Sequence, residues 1–168
     1  MICGISGSGK TCFSKLLEQR GVPRLSMDEE LWPDYFVFSD LITDEHRDFL
    51  YSEATKRIKA RVANFCAEGK SVSVDMPFCK RVQRDEFRAH IESCGGEPVL
   101  IWIKADLPVL KLRLAERAGK NGPNNLPVSE AEIEMYWRGF QRPAGENAIE
   151  IDGEKEFDID NFLKMSEE

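Results

Sequence analysis

The stretch GISGSGKT, residues 4–11, decides the fold, because it arranges three glycines, a lysine and a hydroxyl in the order G-x-x-x-x-G-K-[ST]. The apolar residues 1–3 come directly before it. After it, residues 10–20 carry apolar side chains at helical spacing until Gly21 ends the pattern. A strand, a glycine-rich loop and a helix in this order form a phosphate-binding P-loop.

The chemistry predicted for this loop is the binding of ATP with Mg²⁺. Its glycines let backbone N–H groups converge on phosphate oxygens, and the following helix adds the positive end of its dipole. Lys10 would reach the β- and γ-phosphates, and the Thr11 hydroxyl would bind the metal ion. The residues predicted to bind the nucleotide here are Gly4, Ser6, Gly7, Ser8, Gly9, Lys10, Thr11 and Cys12.

Short apolar segments alternate with helical patterns along the rest of the chain. Further strands are predicted at residues 22–26, 71–74, 98–103 and 148–151, and helices at 43–69, 106–119 and 129–140, with one more between the third and fourth strands. Pro33 and the mixed pattern of residues 31–38 indicate a loop or a broken helix. The alternation predicts one α/β domain over residues 1–168, with ligands bound beyond the carboxyl ends of the strands.

Composition and charge argue against nucleic acid, a membrane and secretion as the setting of this protein. A net charge of −7 and a pI near 5.0 argue against extended nucleic-acid binding, which requires a basic surface. No apolar run approaches the roughly 20 residues that span a bilayer, so no membrane association is expected. The motif begins at residue 4, leaving no room for a secretion signal, and the five cysteines are scattered. We therefore expect a cytoplasmic protein.

Two aspartates follow predicted strands and are candidates for chemistry. Asp75 ends the third strand, where it could hold a metal-bound water or orient the acceptor. Asp28 lies two residues beyond the second strand, where it could take the proton of an acceptor hydroxyl. Either residue could instead cap a helix or a turn. Thr11 and Asp75 are the predicted metal ligands.

The predicted lid covers residues 113–128 and carries two arginines. Arg113 and Arg117 are four residues apart on one helical face, where they could neutralise charge on transferring phosphoryl oxygens. The polar residues 120–125 follow. A solvated basic helix face is the alternative explanation of the two arginines.

Two further residues are weaker candidates for contact with the substrate. Arg84 shares a helical face with Arg81 and Arg88, although the acids between them could form surface ion pairs instead. Trp32 belongs to an aromatic segment beside Asp28 that could line an acceptor pocket or simply cover the core. The other aromatic side chains of that segment are Tyr35, Phe36 and Phe38.

Taken together, four motifs resemble the small P-loop kinases of the zeta toxin, polynucleotide kinase and chloramphenicol phosphotransferase type. They are GISGSGKT, Ser26-x-Asp28, Val74-Asp75 with Arg84 downstream, and Arg113-Leu-x-x-Arg117. The resemblance spans residues 1–151 and is closest to the AAA-type ATP-binding branch. That branch is marked here by residues 126–129, Tyr136-Trp137 and Phe140-x-x-Pro143-x-x-Glu146, which have no assigned role.

The resemblance implies a five-stranded parallel sheet in the order 2-3-1-4-5, with Asp28 as general base. It also implies that Arg113 and Arg117 serve adenine stacking and phosphate contact. The sequence departs from the family in having Ser26-x-Asp28 where the family has Asp-x-Asp, which leaves the metal's carboxylate to Asp75. Only three residues precede Gly4, so the first strand is truncated or the native chain begins upstream.

We thus expect a kinase that transfers the γ-phosphate of Mg-ATP to a hydroxyl of a small molecule, with Lys10, Asp28 and Arg117 as catalytic residues. A polynucleotide 5′-hydroxyl kinase is one alternative and would need a basic channel. A nucleoside monophosphate kinase is another, although its ionised acceptor needs no base. A nucleotide-gated ATPase or binding module is the third.

Overall fold

The computed structural model describes residues 1–38, 43–120, 122–125 and 128–165. Its centre is a sheet of five parallel strands in the order β2-β3-β1-β4-β5, which confirms the predicted α/β class and strand order. The strands are β1 (Ile2–Cys3), β2 (Arg24–Ser26), β3 (Ser73–Asp75), β4 (Ile101–Lys104) and β5 (Ile149–Asp152).

The connecting helices follow the predicted pattern closely. They are α1 (Lys10–Gln19), α2 (Met27–Phe38), α3 (Asp44–Ala67), α4 (Arg81–Ser93), α5 (Leu107–Arg117), α6 (Glu130–Gly139) and α7 (Ile159–Met165), with one 3₁₀ turn at Pro123–Asn125. Thr43 caps α3, because its hydroxyl accepts from the backbone N–H of His46 at 3.2 Å. Ser129 and Glu132 form the predicted capping box of α6. Within the described ranges, no helix has both the length and the apolar content needed to cross a bilayer.

Alternate side chains of the strands pack into separate cores on the two faces of the sheet. On one face, Cys3 lies in a cluster with Ala54, Ile58 and Val62, three residues of the apolar stripe predicted for α3. On the other face, Ile2 packs with side chains of α1 and α7. Both faces of the sheet are therefore covered, as parallel sheets require.

The structure corrects the prediction of a loop or broken helix at residues 31–38. Helix α2 begins at Met27, directly after β2, and continues through Pro33 to Phe38. Pro33 has no N–H to donate to the carbonyl of Glu29, so the helix continues with that hydrogen bond missing. Three acidic residues in the first turn favour the helix by opposing its dipole. Asp28 therefore stands inside a helical turn.

Four strands begin later than predicted. β3 begins at Ser73 rather than residue 71 and β5 at Ile149 rather than residue 148. For the other two strands, a proline lies within three residues before the observed start. β2 begins at Arg24 rather than residue 22, and β4 begins at Ile101 rather than residue 98. Pro23 and Pro98 have no N–H to donate to a strand ladder.

Candidate functional site

The glycine loop leaves the carboxyl end of β1 and turns tightly into α1. Gly7 and Gly9 have φ angles of 86° and 109°, which side chains disfavour. A Cβ at Gly4 would lie 2.7 Å from the carbonyl oxygen of Ile103, so only glycine fits against β4 there. This backbone, opening onto a helix N-terminus, is an anion-binding arrangement.

The loop borders a cavity of about 950 Å³. Seven of the eight predicted nucleotide-binding residues line this cavity, namely Gly4, Ser6, Gly7, Gly9, Lys10, Thr11 and Cys12. Lys10 extends across the loop, and its ammonium donates to the carbonyl oxygen of Ile5 at 3.2 Å. The eighth residue, Ser8, is buried, and its Oγ has no hydrogen-bond partner in the described part of the chain. Its side chain lies outside the cavity lining.

The Arg113 guanidinium forms hydrogen bonds with both the glycine loop and the turn that follows β5. Its Nη1 donates to the carbonyl oxygens of Gly7 at 3.2 Å and Ser8 at 3.4 Å, and its Nη2 donates to that of Gly153 at 2.8 Å. The guanidinium also lines the cavity. Arg113 therefore shapes the glycine loop directly, a role that was not predicted from the sequence.

The segment after β5 lies against the glycine loop at close range. A Cβ added to Gly153 would lie 2.2 Å from the carbonyl oxygen of Ser8, and one added to Gly9 would lie 3.1 Å from the ring of Phe157. Gly153 and Phe157 both line the cavity. Neither residue was predicted from the sequence to belong to the site, although a glycine after the last strand of such a sheet was an available signal.

Asp28 lines the same cavity as Lys10, from the first turn of α2. Burial raises the pKa of its carboxyl group above the ordinary value. The positive charges of Lys10 and Arg117 oppose that shift, whereas the negative charges of Asp75 and Glu29 add to it. A carboxylate with a raised pKa is a stronger base, which fits it for accepting a proton from a hydroxyl.

Asp75 ends β3 on the floor of the cavity, and its side chain is nearly inaccessible. Its Oδ2 accepts from the hydroxyl of Ser14 at 3.1 Å and lies 3.9 Å from Nη1 of Arg24. Ser14 and Arg24 were not foreseen as neighbours of this carboxylate.

The two predicted metal ligands suit Mg²⁺. Thr11 and Asp75 offer a hydroxyl and a carboxylate, the oxygen donors that this ion prefers. No cluster of three or more histidine, cysteine or acidic side chains able to hold a metal occurs among the described residues. Two protein oxygens are sufficient in a site where substrate phosphates and water complete the coordination.

Arg117 ends α5 beside the 3₁₀ turn at Pro123–Asn125. Its guanidinium donates to the carbonyl oxygen of Asn124, and the side-chain amide of Asn124 donates to Glu29 at 3.0 Å. Arg117 also lines the cavity. Of the lid predicted over residues 113–128, positions 121, 126 and 127 lie outside the described residues.

The structure places Arg84 away from the cavity, contrary to its inclusion among substrate contacts. Its fully buried guanidinium pairs with Glu146 and donates to the carbonyl oxygen of Phe78 at 2.9 Å. The alternative prediction, that Arg84 forms ion pairs at the surface, is wrong as well, because the side chains of Arg84 and Glu146 are both buried. Glu146, a distinctive residue without an assigned role, is thereby explained as its partner.

Trp32 does not contribute to the lining of the cavity, although it lies in the same helix as Asp28. The side chains of Tyr35, Phe36 and Phe38 lie outside the described part of the protein. Met76, Pro77 and Cys79, which follow β3, are among the residues that line the cavity.

A five-stranded parallel sheet in this order, with a glycine loop after its first strand, defines a P-loop NTPase fold. Within that class, the chain belongs to the AAA domain family, whose model matches residues 1–143. No curated protein matches the chain. The narrower resemblance to the zeta toxin, polynucleotide kinase and chloramphenicol phosphotransferase group stays a prediction.

Several solved structures share this fold. A gluconokinase from Sinorhizobium meliloti 1021 is 22% identical, with a TM-score of 0.64 over 92% of this chain and 82% of the other. A provisionally described kinase from Chloroflexus aurantiacus is 18% identical, with a TM-score of 0.75 over 99% and 94%. A sugar kinase from Janibacter sp. HTCC2649 is 19% identical, with a TM-score of 0.65 over 98% and 89%. At these identities the likeness establishes the fold.

Proposed function

We propose that the protein is a kinase that transfers the γ-phosphate of ATP to a hydroxyl group of a small molecule. The observation that carries the proposal is that Asp28 shares one cavity with the glycine loop and Lys10. A phosphate-binding loop alone fits any nucleotide-binding protein. A carboxylate of raised pKa in the same cavity adds the base that a hydroxyl acceptor needs and that ATP binding does not.

In the proposed reaction, Asp28 accepts the proton of the acceptor hydroxyl as its oxygen bonds to the γ-phosphorus. The bond from that phosphorus to the bridging oxygen breaks, and ADP leaves. Lys10 and Arg117 stabilise the charge on the phosphoryl oxygens, and Arg113 holds the loop that positions them. Thr11 and Asp75 would hold Mg²⁺, which supplies further neutralisation of phosphate charge.

The same proposal includes the kind of acceptor, the kind of partner, the location of the protein and the extent of its catalytic unit. The sugar kinase and gluconokinase descriptions of structural neighbours support a small hydroxyl compound as acceptor. The net charge of −7 supports a partner other than nucleic acid. All five cysteines are free, which supports a reducing cytoplasm as the location. Residues 1–168 act as one catalytic unit whose lid spans residues 113–128.

The test is ADP formation from Mg-ATP, measured with and without a pooled library of hydroxyl acceptors. Asp28→Asn removes the base, whereas Glu30→Gln is a matched control in the same helix, since Glu30 pairs with Arg57 and lies outside the cavity lining. We expect acceptor-stimulated turnover that falls at least 100-fold in Asp28→Asn, within the range of a lost general base, and persists in the control.

Two results would contradict the proposal. Turnover that needs no acceptor and survives Asp28→Asn would favour the nucleotide-gated ATPase. Stimulation by 5′-hydroxyl oligonucleotides and by no small molecule would favour the polynucleotide kinase.

A further inference from the structure

A continuous series of polar contacts joins the sheet to the lid. Nη2 of Arg24, on β2, donates to Oε1 of Glu29, and the same oxygen accepts from the side-chain amide of Asn124 at 3.0 Å. The carbonyl oxygen of Asn124 accepts in turn from Arg117. Glu29 is therefore the point where a sheet residue, the lid turn and a predicted catalytic arginine are connected.

The sheet end of this series is a buried cation. The Arg24 side chain is 5% exposed, and its guanidinium lies 3.6 Å from Glu18 and 3.9 Å from Asp75. Its Nε and Nη1 make no hydrogen bond to any described residue. Because a buried guanidinium is costly unless carboxylates balance its charge, the hydrogen-bonded Glu29 is strongly held in place.

Glu29 remains ionised in this position. Burial opposes its ionisation, but the hydrogen bonds from Arg24 and Asn124 outweigh burial and lower its pKa below the ordinary value of 4.5. At neutral pH it is therefore a charged acceptor, and hydrogen bonds to charged groups are about twice as strong as neutral ones.

We propose that Glu29 is a positioning residue, which holds Asn124 and, through the Asn124 carbonyl, orients Arg117 above the transferring phosphate. This inference rests on the proposed kinase function. Glu29 directly follows Asp28 in the first turn of α2, so one helical turn carries both the base and the anchor of the lid. Placing both on one rigid turn couples lid position to the reacting groups, where an error of about 1 Å can cost about 100-fold in rate.

The experiment compares Glu29→Ala and Asn124→Ala with the matched control Glu18→Ala. Glu18 pairs with the same Arg24 guanidinium but belongs to α1 and lies outside the contacts of the lid turn. Two quantities are measured. The first is amide hydrogen exchange of residues 118–128 in the nucleotide-free protein. The second is the division of the rate loss between kcat and the KM for ATP.

We expect faster lid exchange in both Glu29→Ala and Asn124→Ala, with kcat lowered about tenfold to 100-fold and the KM for ATP changed less than about threefold. Glu29→Gln, which keeps an acceptor oxygen, should recover part of the protection. Glu18→Ala should leave both quantities unchanged. Equal melting temperatures of Glu29→Ala and Glu18→Ala would confirm that general unfolding is not the cause.

Unchanged lid exchange in Glu29→Ala would overturn the inference, whatever the activity. Faster exchange of residues 118–128 together with an unchanged kcat would also overturn the proposal, because Glu29 would then hold the lid without positioning Arg117 for the reaction. If the wild-type protein transfers no phosphate, the proposed function fails, and the exchange result still decides whether Glu29 anchors the lid.

Discussion

Arg84 and Glu146 form a bidentate ion pair inside the protein, with Nη2 2.6 Å from Oε1 and Nε 2.9 Å from Oε2. Their side chains are 0% and 1% exposed. Arg84 also holds the carbonyl oxygen of Phe78, a residue with a φ of 46° in the loop after β3. The pair thus joins α4, the loop that leads from Asp75, and the segment before β5.

We predict that Glu146→Gln lowers the free energy of unfolding by about 3–5 kcal/mol, since it leaves the buried Arg84 without its counter-charge. Urea unfolding at neutral pH measures the change. Glu150→Gln is the control, because Glu150 pairs with Lys104 at an exposed position and should cost less than about 1 kcal/mol. Equal losses in the two variants would contradict the prediction.

The same pair predicts a dependence of stability on pH. The hydrogen bonds from Arg84 lower the pKa of Glu146 from its ordinary 4.5. The contribution of ionised Glu146 to folding stability is therefore fully present above about pH 4.5. It is lost as the pH falls through the lower pKa that Glu146 has in the folded protein. The stability difference between wild type and Glu146→Gln should be constant from pH 7 to 5 and shrink below it. A difference that grows on acidification would contradict the assignment.

Gly153→Ala should displace the glycine loop, because a Cβ there would lie 2.2 Å from the carbonyl oxygen of Ser8. We expect ATP affinity to fall at least about tenfold, equal to about 1.4 kcal/mol, as measured by titration calorimetry. Gly139→Ala is the matched control, since a Cβ at Gly139 meets nothing within 4 Å. Unchanged affinity in Gly153→Ala would mean that the loop tolerates the displacement.

Arg113→Met should weaken ATP binding about tenfold to 100-fold, because three carbonyl oxygens of the loop and the turn after β5 lose their shared donor. The control is Lys111→Met in the same helix, since Lys111 pairs with Glu130 and Glu134. Calorimetric titration with a non-hydrolysable ATP analogue distinguishes them. Similar affinities for the two variants would show that the loop holds its shape without Arg113.

Asp28→Asn should raise stability while removing transfer activity. Because burial raises the pKa of Asp28 in the folded protein, wild-type stability relative to the variant falls as the pH rises from the ordinary value of 3.8 to that raised pKa and stays lower above it. At pH 7 the free energy of unfolding of ligand-free Asp28→Asn should exceed that of the wild type by up to about 1 kcal/mol. This difference should vanish below about pH 3.8, the ordinary pKa of the aspartate. Thermal unfolding across pH measures it. A loss of stability at pH 7 would show that the carboxylate is structurally required.

The glycine loop shows how local patterns made much of the site predictable. The spacing of residues 4–11 specifies a strand, a loop and a helix by local backbone requirements. Of the eight residues from Gly4 to Cys12 predicted to bind the nucleotide, seven line the cavity. Asp28 and Asp75 were also predictable, because the carboxyl ends of parallel strands meet at one edge of a sheet. The course of α2 was not, because tertiary packing can carry a helix through a proline that a local pattern marks as a break.

The arginines show where local pattern was insufficient. Arg84, Arg113 and Arg117 look alike in the sequence, yet one is buried with Glu146, one holds the glycine loop and one contacts the turn at Pro123–Asn125. Each partner is distant along the chain, and a charged side chain's role depends on which carbonyl or carboxylate the fold brings to it.

The sequence by itself therefore determined the α/β class, the phosphate-binding loop and the two aspartates, because these depend on backbone conformation and on strand ends. Only the tertiary structure decided that Arg24, Glu29 and Asn124 connect β2 to the turn at Pro123–Asn125, and that Gly153 lies against the glycine loop. The physical reason is the distance along the chain over which each effect acts. Glycine conformation and helical periodicity act over a few residues, whereas burial and ion pairing depend on segments that meet only after the chain has folded.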